Sequence, residues 1–328
     1  MDISTNYNNS LRFKFDMKKF FAGIVLLAGV AALCQCSSDM PPREGSVKLV
    51  DPKAKALMTE ASGYEQKNKV AKAVNRYRKL VEEHPVSVEA PAAQFRIAQL
   101  QLGQKEYIDA FDAYQKFIER YPDSPLYKEA LQAQKKIAFD AAHGKLTNKV
   151  LWAWDVPMDS SNVVKWLNSV CDNAPFASSA PEALSTLGDY LVNRKRYDEA
   201  IVSYQKIVDN YPNSGFSPVA QLAVADLYRG EHSKGSRNHV NVMRAQEAYE
   251  DYLQRYPGNP GAKLARNGLN DVRRLVVEKK LETAEYYLNR MKDRDAAIFN
   301  YQEVATQSKD NPEAAAKARQ KLKELGTK

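Results

Sequence analysis

The sequence predicts an all-α fold: a right-handed superhelical solenoid of five to six stacked helical hairpins, closed by a C-terminal helix. Three observations predict it. A stretch of sixteen residues, Tyr107–Pro122, returns at Tyr197–Pro212, at Val242–Pro257 and in a copy ending at Pro85. Ala110, Tyr114 and Ile118 of the first copy are matched by Ala200, Tyr204 and Val208, by Ala245, Tyr249 and Leu253, and by Ala73, Tyr77 and Val81. An alanine, a ring four residues on and apolar residues beyond it make one stripe on an α-helix. The second observation is the spacing of helix-ending prolines, at Pro85, Pro122, Pro175, Pro212 and Pro257, in steps of 37, 53, 37 and 45. Two equal steps and two longer ones describe one repeating unit with two insertions. Third, hydrophobic residues make up 44% of the chain and glycine only 14 of 328 positions, enough for a core but with few turn residues. A lone hairpin cannot bury its stripe, so repetition itself argues for stacking.

Taken in order, the chain opens on an address. Met17-Lys18-Lys19 leads an apolar run, Phe20–Leu33, which is short for a membrane span and has the layout of a secretory signal over residues 1–35. Residues 1–16 lack that pattern, which makes Met17 an alternative start. Residues 36–51 hold two prolines and a glycine and read as a tether. The solenoid is expected over residues 52–311 and a capping helix over 312–328. Unit one spans Pro52–Pro85, with Leu57, Tyr64, Ala73 and Tyr77 inward; unit two spans Ser87–Pro122, with Phe95, Ile97, Ala98 and Leu100 on its first helix. Unit three starts at Ser124 and is interrupted near 143–162, resuming with Val163, Leu167, Val170 and Cys171 in the stripe. Unit four carries Leu184, Leu187, Gly188, Leu191, Ala200 and Tyr204, and unit five has a polar insertion near 230–241. Beyond Pro260 a long helical run reaches about Lys292, followed by Ala296, Ala297, Ile298, Tyr301 and Val304. Ser124-Pro125 and Asn259-Pro260 are expected to pair an N-cap with proline at the first helical position.

Leu33-Cys34-Gln35-Cys36-Ser37 resembles the lipobox of bacterial lipoproteins, with a leucine three residues before Cys36. Gln35 departs from the usual small residue, and Cys34 as acceptor fits the pattern less well. The resemblance implies acyl chains on Cys36, and two or three such chains hold a protein to a membrane where one does not. Ser37, not an aspartate, implies the outer membrane. The repeats resemble the tetratricopeptide repeat, with the Leu187-Gly188 pair, Ala200, Tyr204 and Pro212 at that family's separations. A closer resemblance lies in Arg273-Arg274-Leu275, in Leu281–Leu288, in Ala296-Ala297-Ile298 and in the turns Tyr121–Pro125 and Tyr211–Ser214. These are similar to the BamD family of outer-membrane β-barrel assembly lipoproteins. That resemblance implies a non-catalytic scaffold on the periplasmic face of the outer membrane. Its partners would be the barrel-assembly protein, other lipoproteins of that machinery and unfolded barrel segments. Two other roles fit the same fold: a periplasmic adaptor coordinating cell-wall synthesis with envelope constriction, and a glycan-binding helical lipoprotein.

The formal charge of +8 is spread along helices with alternating acids, which reads as a solvated surface rather than a nucleic-acid footprint. Three cysteines and four scattered histidines supply neither a disulfide framework nor metal-ligand spacing, and no cofactor is expected. Cys171 reads as an apolar filler and His84, in a tyrosine slot, as packing. No nucleophile–base set announces itself, and the chain reads as a non-enzyme. The concave face of such an array accepts an extended peptide. Offset from the prolines places Met58, Ser62, Phe95, Gln99 and Leu102 on that face, with Phe95 and Leu102 fitting the core as well. Trp152 and Trp154, in the insertion of unit three, form either a docking patch or a plug for the widened gap. The plug is favoured because exposed indoles cost solubility. Arg273, Arg274, Lys279 and Lys280 read as a solvated face, and the family resemblance implies a contact with the barrel protein's periplasmic domains there.

Overall fold

In the computed structural model the described residues are 49–326 apart from 151–153, 232–237 and 308. The signal segment, Cys34, Cys36 and most of the tether therefore lie outside them. The first hairpin is α1 (Pro52–Gln66) and α2 (Val70–Glu83), the second α3 (Ala90–Gly103) and α4 (Tyr107–Arg120). The third joins α5 (Tyr127–Ala142) to α6 (Ser160–Asn173), the fourth α7 (Ser179–Asn193) to α8 (Tyr197–Asn210), the fifth α9 (Phe216–Glu231) to α10 (Asn238–Arg255). A long α11 (Ala262–Tyr286) passes through a π-turn at Tyr287–Met291 to α12 (Arg294–Thr306), and α13 (Pro312–Glu324) closes the array.

The recurring stripe is what each second helix buries. α4 covers Ala110, Phe111, Tyr114, Phe117 and Ile118, and α8 covers Ala200, Ile201, Tyr204, Ile207 and Val208 in the same slots. In α6 the buried set is Val163, Trp166, Leu167 and Val170. Sequence reading passed over Trp166, whose ring stacks on Phe111 with centroids 4.9 Å apart. Cys171 is half-buried, with Sγ 3.6 Å from the Tyr211 hydroxyl, so it fills the slot without being sealed there.

Connections repeat as closely as helices. Every junction between the first six units makes two overlapping turns. In one, the Ser124 N–H donates to Tyr121 O (3.1 Å) and the Tyr127 N–H to Ser124 O (3.0 Å); 214/217 and 259/262 do the same. Ser124 Oγ accepts from the Leu126 N–H (3.3 Å) and Asn259 Oδ1 from the Gly261 N–H (2.9 Å). The expected N-caps are thus corrected. Ser124 and Asn259 secure the turn before the helix, and α5 and α11 begin at Tyr127 and Ala262. Proline follows the second helix of each of the first five hairpins two residues past its last helical position, where a missing N–H costs nothing, and α12 lacks it.

The insertion of unit three departs from the all-α expectation. It forms an antiparallel hairpin of β1 (Thr147–Val150) and β2 (Trp154–Pro157), in register Thr147 with Pro157 and Val150 with Trp154. Gly144, at φ +70°, stops α5, and the β-branched Thr147, Val150 and Val156 favour extended backbone. Trp152 and the side chain of Trp154 lie outside the described residues. One apolar core runs from Ala54 to Val272, and a second, from Val277 to Ala318, is shared by the end of α11, α12 and α13. No helix of the described residues is long and apolar enough to cross a membrane.

Candidate binding face

First helices touch their successors: α5 meets α7, α7 meets α9, α9 meets α11 and α11 meets α13. Second helices splay, with α4 and α6 the pair that approaches. From unit three onward the first-helix side is therefore the shorter, inner side of the array, the Arg96–Glu65 bridge joins α1 to α3 on that side, and a partner laid along it meets several units at once.

At the N-terminal end this face is built on α1 and α3. Met58 and Leu102 are half-buried against the core, and the Ser62 hydroxyl donates to Met58 O (2.7 Å). Gln99 lies beside them on α3, its Oε1 accepting from Arg96 Nη1 (2.8 Å). Phe95 is the correction. It is 5% exposed and meets Tyr114 and Phe117 edge-on, with centroids 5.6 and 5.5 Å away, so it fills the space between α3 and α4 and belongs to the core.

What sequence reading missed is the polar bridge that sets the spacing of this face. Arg96 Nε donates to both Glu65 oxygens (2.9 and 3.0 Å), and Nη2 reaches the same carboxylate. The Tyr77 hydroxyl donates to Glu65 Oε2 (3.1 Å). The Arg96 hydrogen bond holds the Glu65 carboxyl below the usual range, against a partial desolvation that pushes the other way. Desolvation raises the Tyr77 phenol, with Glu65 adding to it. Bidentate guanidinium geometry fixes distance and angle together, so α1 and α3 are held in one register. The signal lay in the next unit, outside any local pattern. Thirty-one residues separate the partners, and only the unit register brings them opposite.

The four basic residues near the C-terminal end do not make one patch. Arg273 Nη2 donates to Glu250 of α10 (2.9 Å), whereas Lys280 Nζ lies 3.2 Å from Glu303 of α12. Arg274 lies 3.7 Å from Glu278 and Lys279 donates to Glu282 (2.6 Å), both along α11. Pairs this exposed are worth about 0–1 kcal/mol each and are readily exchanged. His84 is more than packing: its Nδ1 is 2.6 Å from Oδ2 of Asp51, the residue that caps α1 by accepting from the Lys53 N–H (2.8 Å). No group of metal-ligating side chains forms among the described residues.

Residues 58–125 match the tetratricopeptide-repeat family, and residues 182–214 match it again. The first segment covers most of α1 through α4 and the second most of unit four. No curated protein matches the sequence. Among solved structures, a tetratricopeptide repeat protein from Parabacteroides merdae ATCC 43184 is similar at 11% identity, over 82% of this chain and all (100%) of that one, with TM-score 0.28. PilF of Pseudomonas aeruginosa is similar at 16% identity over 82% and 97% of the two chains, with TM-score 0.27. A thermophilic tetratricopeptide repeat protein of Thermus thermophilus shares 14% identity over 66% and 98%, with TM-score 0.28. At such scores the superpositions carry no weight, and the fold rests on its own helix packing.

Proposed function

We propose that the chain is a non-catalytic scaffold, lipid-anchored through Cys36 to the periplasmic side of the outer membrane, serving β-barrel assembly. Its first-helix face takes unfolded barrel segments at the N-terminal units, and its C-terminal units hold the assembly partner. The observation that carries the interaction role is the inner face itself: helical hairpins in repeated register, with α1 and α3 locked by Glu65 and Arg96 beside the half-buried Met58 and Leu102. The tetratricopeptide matches in the first two units and in unit four support it. Membership in the barrel-assembly machinery rests on the resemblance of Arg273–Leu275 and Leu281–Leu288 to the BamD family. Mechanistically the scaffold positions: a rigid array that holds a client beside a folding partner raises its effective concentration without new chemistry.

The test is affinity capture of the full chain from membranes, with a photo-crosslinker at Gln99 or, as control, at the exposed Val202 of α8. Barrel-assembly components should co-purify, and unfolded barrel segments should crosslink at Gln99 only. Capture of cell-wall synthases alone would replace this reading with the envelope-constriction role. Radiolabelled palmitate should enter the protein and be lost in Cys36→Ser.

A further inference from the structure

The insertion of unit three is a two-stranded ribbon fixed at its base and uncovered beyond it. At the base, Met158 is buried in the main core and Leu146 packs against that core. Between them β1 and β2 pair in register from Thr147 with Pro157 to Val150 with Trp154, and among the described residues no third strand joins either. Asp155, Val156 and Pro157 follow one another along β2 as exposed residues. Successive side chains of a strand point to opposite faces, so neither face of β2 is covered there.

A ribbon of two strands is marginal in water on its own. Each outer edge carries N–H and C=O groups that point away from the ladder, a template for one more strand. The two edges differ. β2 ends on Pro157, which has no N–H, whereas Thr147, Asn148, Lys149 and Val150 all carry one. β1 is therefore the edge with its full complement of donors.

We propose that the β1 edge takes up an extended segment of a client by strand addition, making the ribbon a three-stranded sheet. Main-chain hydrogen bonds supply the affinity in this mode, so the partner is defined by conformation more than by one side-chain sequence: it is an unpaired β-strand. Such a contact serves a scaffold that must hold many different unfolded barrel segments. That choice of client rests on the function proposed above, and the pairing rests on the ribbon alone.

Titration of the full chain, followed by NMR hydrogen exchange, with a synthetic peptide of about ten residues in strict apolar–polar alternation, the length and pattern of a barrel strand, tests it. The peptide should bind saturably. Protection should rise at alternate residues of Thr147–Val150, those whose N–H points away from β2. A copy N-methylated along its backbone keeps the side chains, loses its donors and should bind about tenfold more weakly or worse. Asn148→Pro and Lys149→Pro should each weaken binding too, one by removing an outward donor and the other by breaking the ladder, with helical circular dichroism unchanged. Both variants should still capture barrel-assembly components from membranes, so failure of strand pairing and failure of the scaffold role are read separately. The proposal is overturned if the peptide does not bind, if the N-methylated copy binds as well as its parent, if the protection gained lies on α1 and α3 instead of β1, or if both proline variants keep full affinity.

Discussion

Glycine and tyrosine meet at two places where a second helix presses on a first. A Cβ on Gly188 would lie 2.5 Å from Cε1 of Tyr204, and one on Gly268 would lie 2.4 Å from Cζ of Tyr249. Each phenol then reaches an acid: Tyr204 donates to Asp189 Oδ1 (2.6 Å) and Tyr249 to Asp226. Burial first, and the carboxylate second, push both phenols well above the usual tyrosine range. Removing the missing side chain's space should therefore hurt. Gly188→Ala should lower stability by about 1–3 kcal/mol through overpacking. Gly63, inside α1, has nothing within 4 Å of its added Cβ, and Gly63→Ala should raise stability by about 0.5–1 kcal/mol. Urea midpoints of the two variants should move in opposite directions, and a Gly188→Ala midpoint at or above wild type would remove Tyr204 from its assigned seat. Repetition made Gly188, Ala200 and Tyr204 legible in the sequence, because they recur in slots with one geometric meaning. It hid Trp166, which stands where α4 has the small Ala113, and it misled at Phe95, whose place on the helix suited groove and core alike.

Elements were legible where a period defined them and opaque where backbone conformation did. The stripe locates the second helices, and the long run after Pro260 and the final alanine-rich helix follow from the same pattern. The β1–β2 hairpin offered only short strands in a helical context, too few residues for a period to show. Turns inside the hairpins were hidden for another reason. Lys105 and Lys195 adopt φ +63° and +59°, with the next residue's N–H returning to Gln101 O (3.0 Å) and Leu191 O (2.9 Å). This is a left-handed helix stop of the kind glycine usually supplies, and lysine in it carries steric strain. Lys105→Gly and Lys195→Gly should each stabilise the chain by about 0.5–1 kcal/mol. The effects should add, because the turns belong to separate hairpins. Thermal unfolding of the two single variants and the double checks both claims. A double variant no more stable than wild type would mean that the flanking helices, not the turn, determine these stops.

Across the whole molecule, the expectation of a solenoid carries a consequence for cooperativity that a globular core would not. Stability in a stacked array is close to a sum of units and their interfaces, so a weak interface becomes a boundary between folding units. That boundary falls inside α11. Its first half, through Val272, belongs to the main core, and its second half, from Val277, belongs to the smaller one shared with α12 and α13. One unbroken helix is thus the principal mechanical link between the two, helped by Asn311, whose Nδ2 donates to Arg274 O (3.5 Å). The smaller core has little apolar surface to bury, and its largest member, Tyr301, is fully buried with an unpartnered hydroxyl. Tyr301→Ala removes most of what holds α12 against its neighbours, at a cost of about 3–5 kcal/mol to that unit. Hydrogen exchange should then show α12, α13 and the last turns of α11 losing protection together, while α1 to α10 exchange as in the wild type. The mutation should also leave the N-terminal binding face intact, since no core residue is shared between them. Uniform loss of protection along the whole chain would contradict this division and would make the array a single cooperative unit.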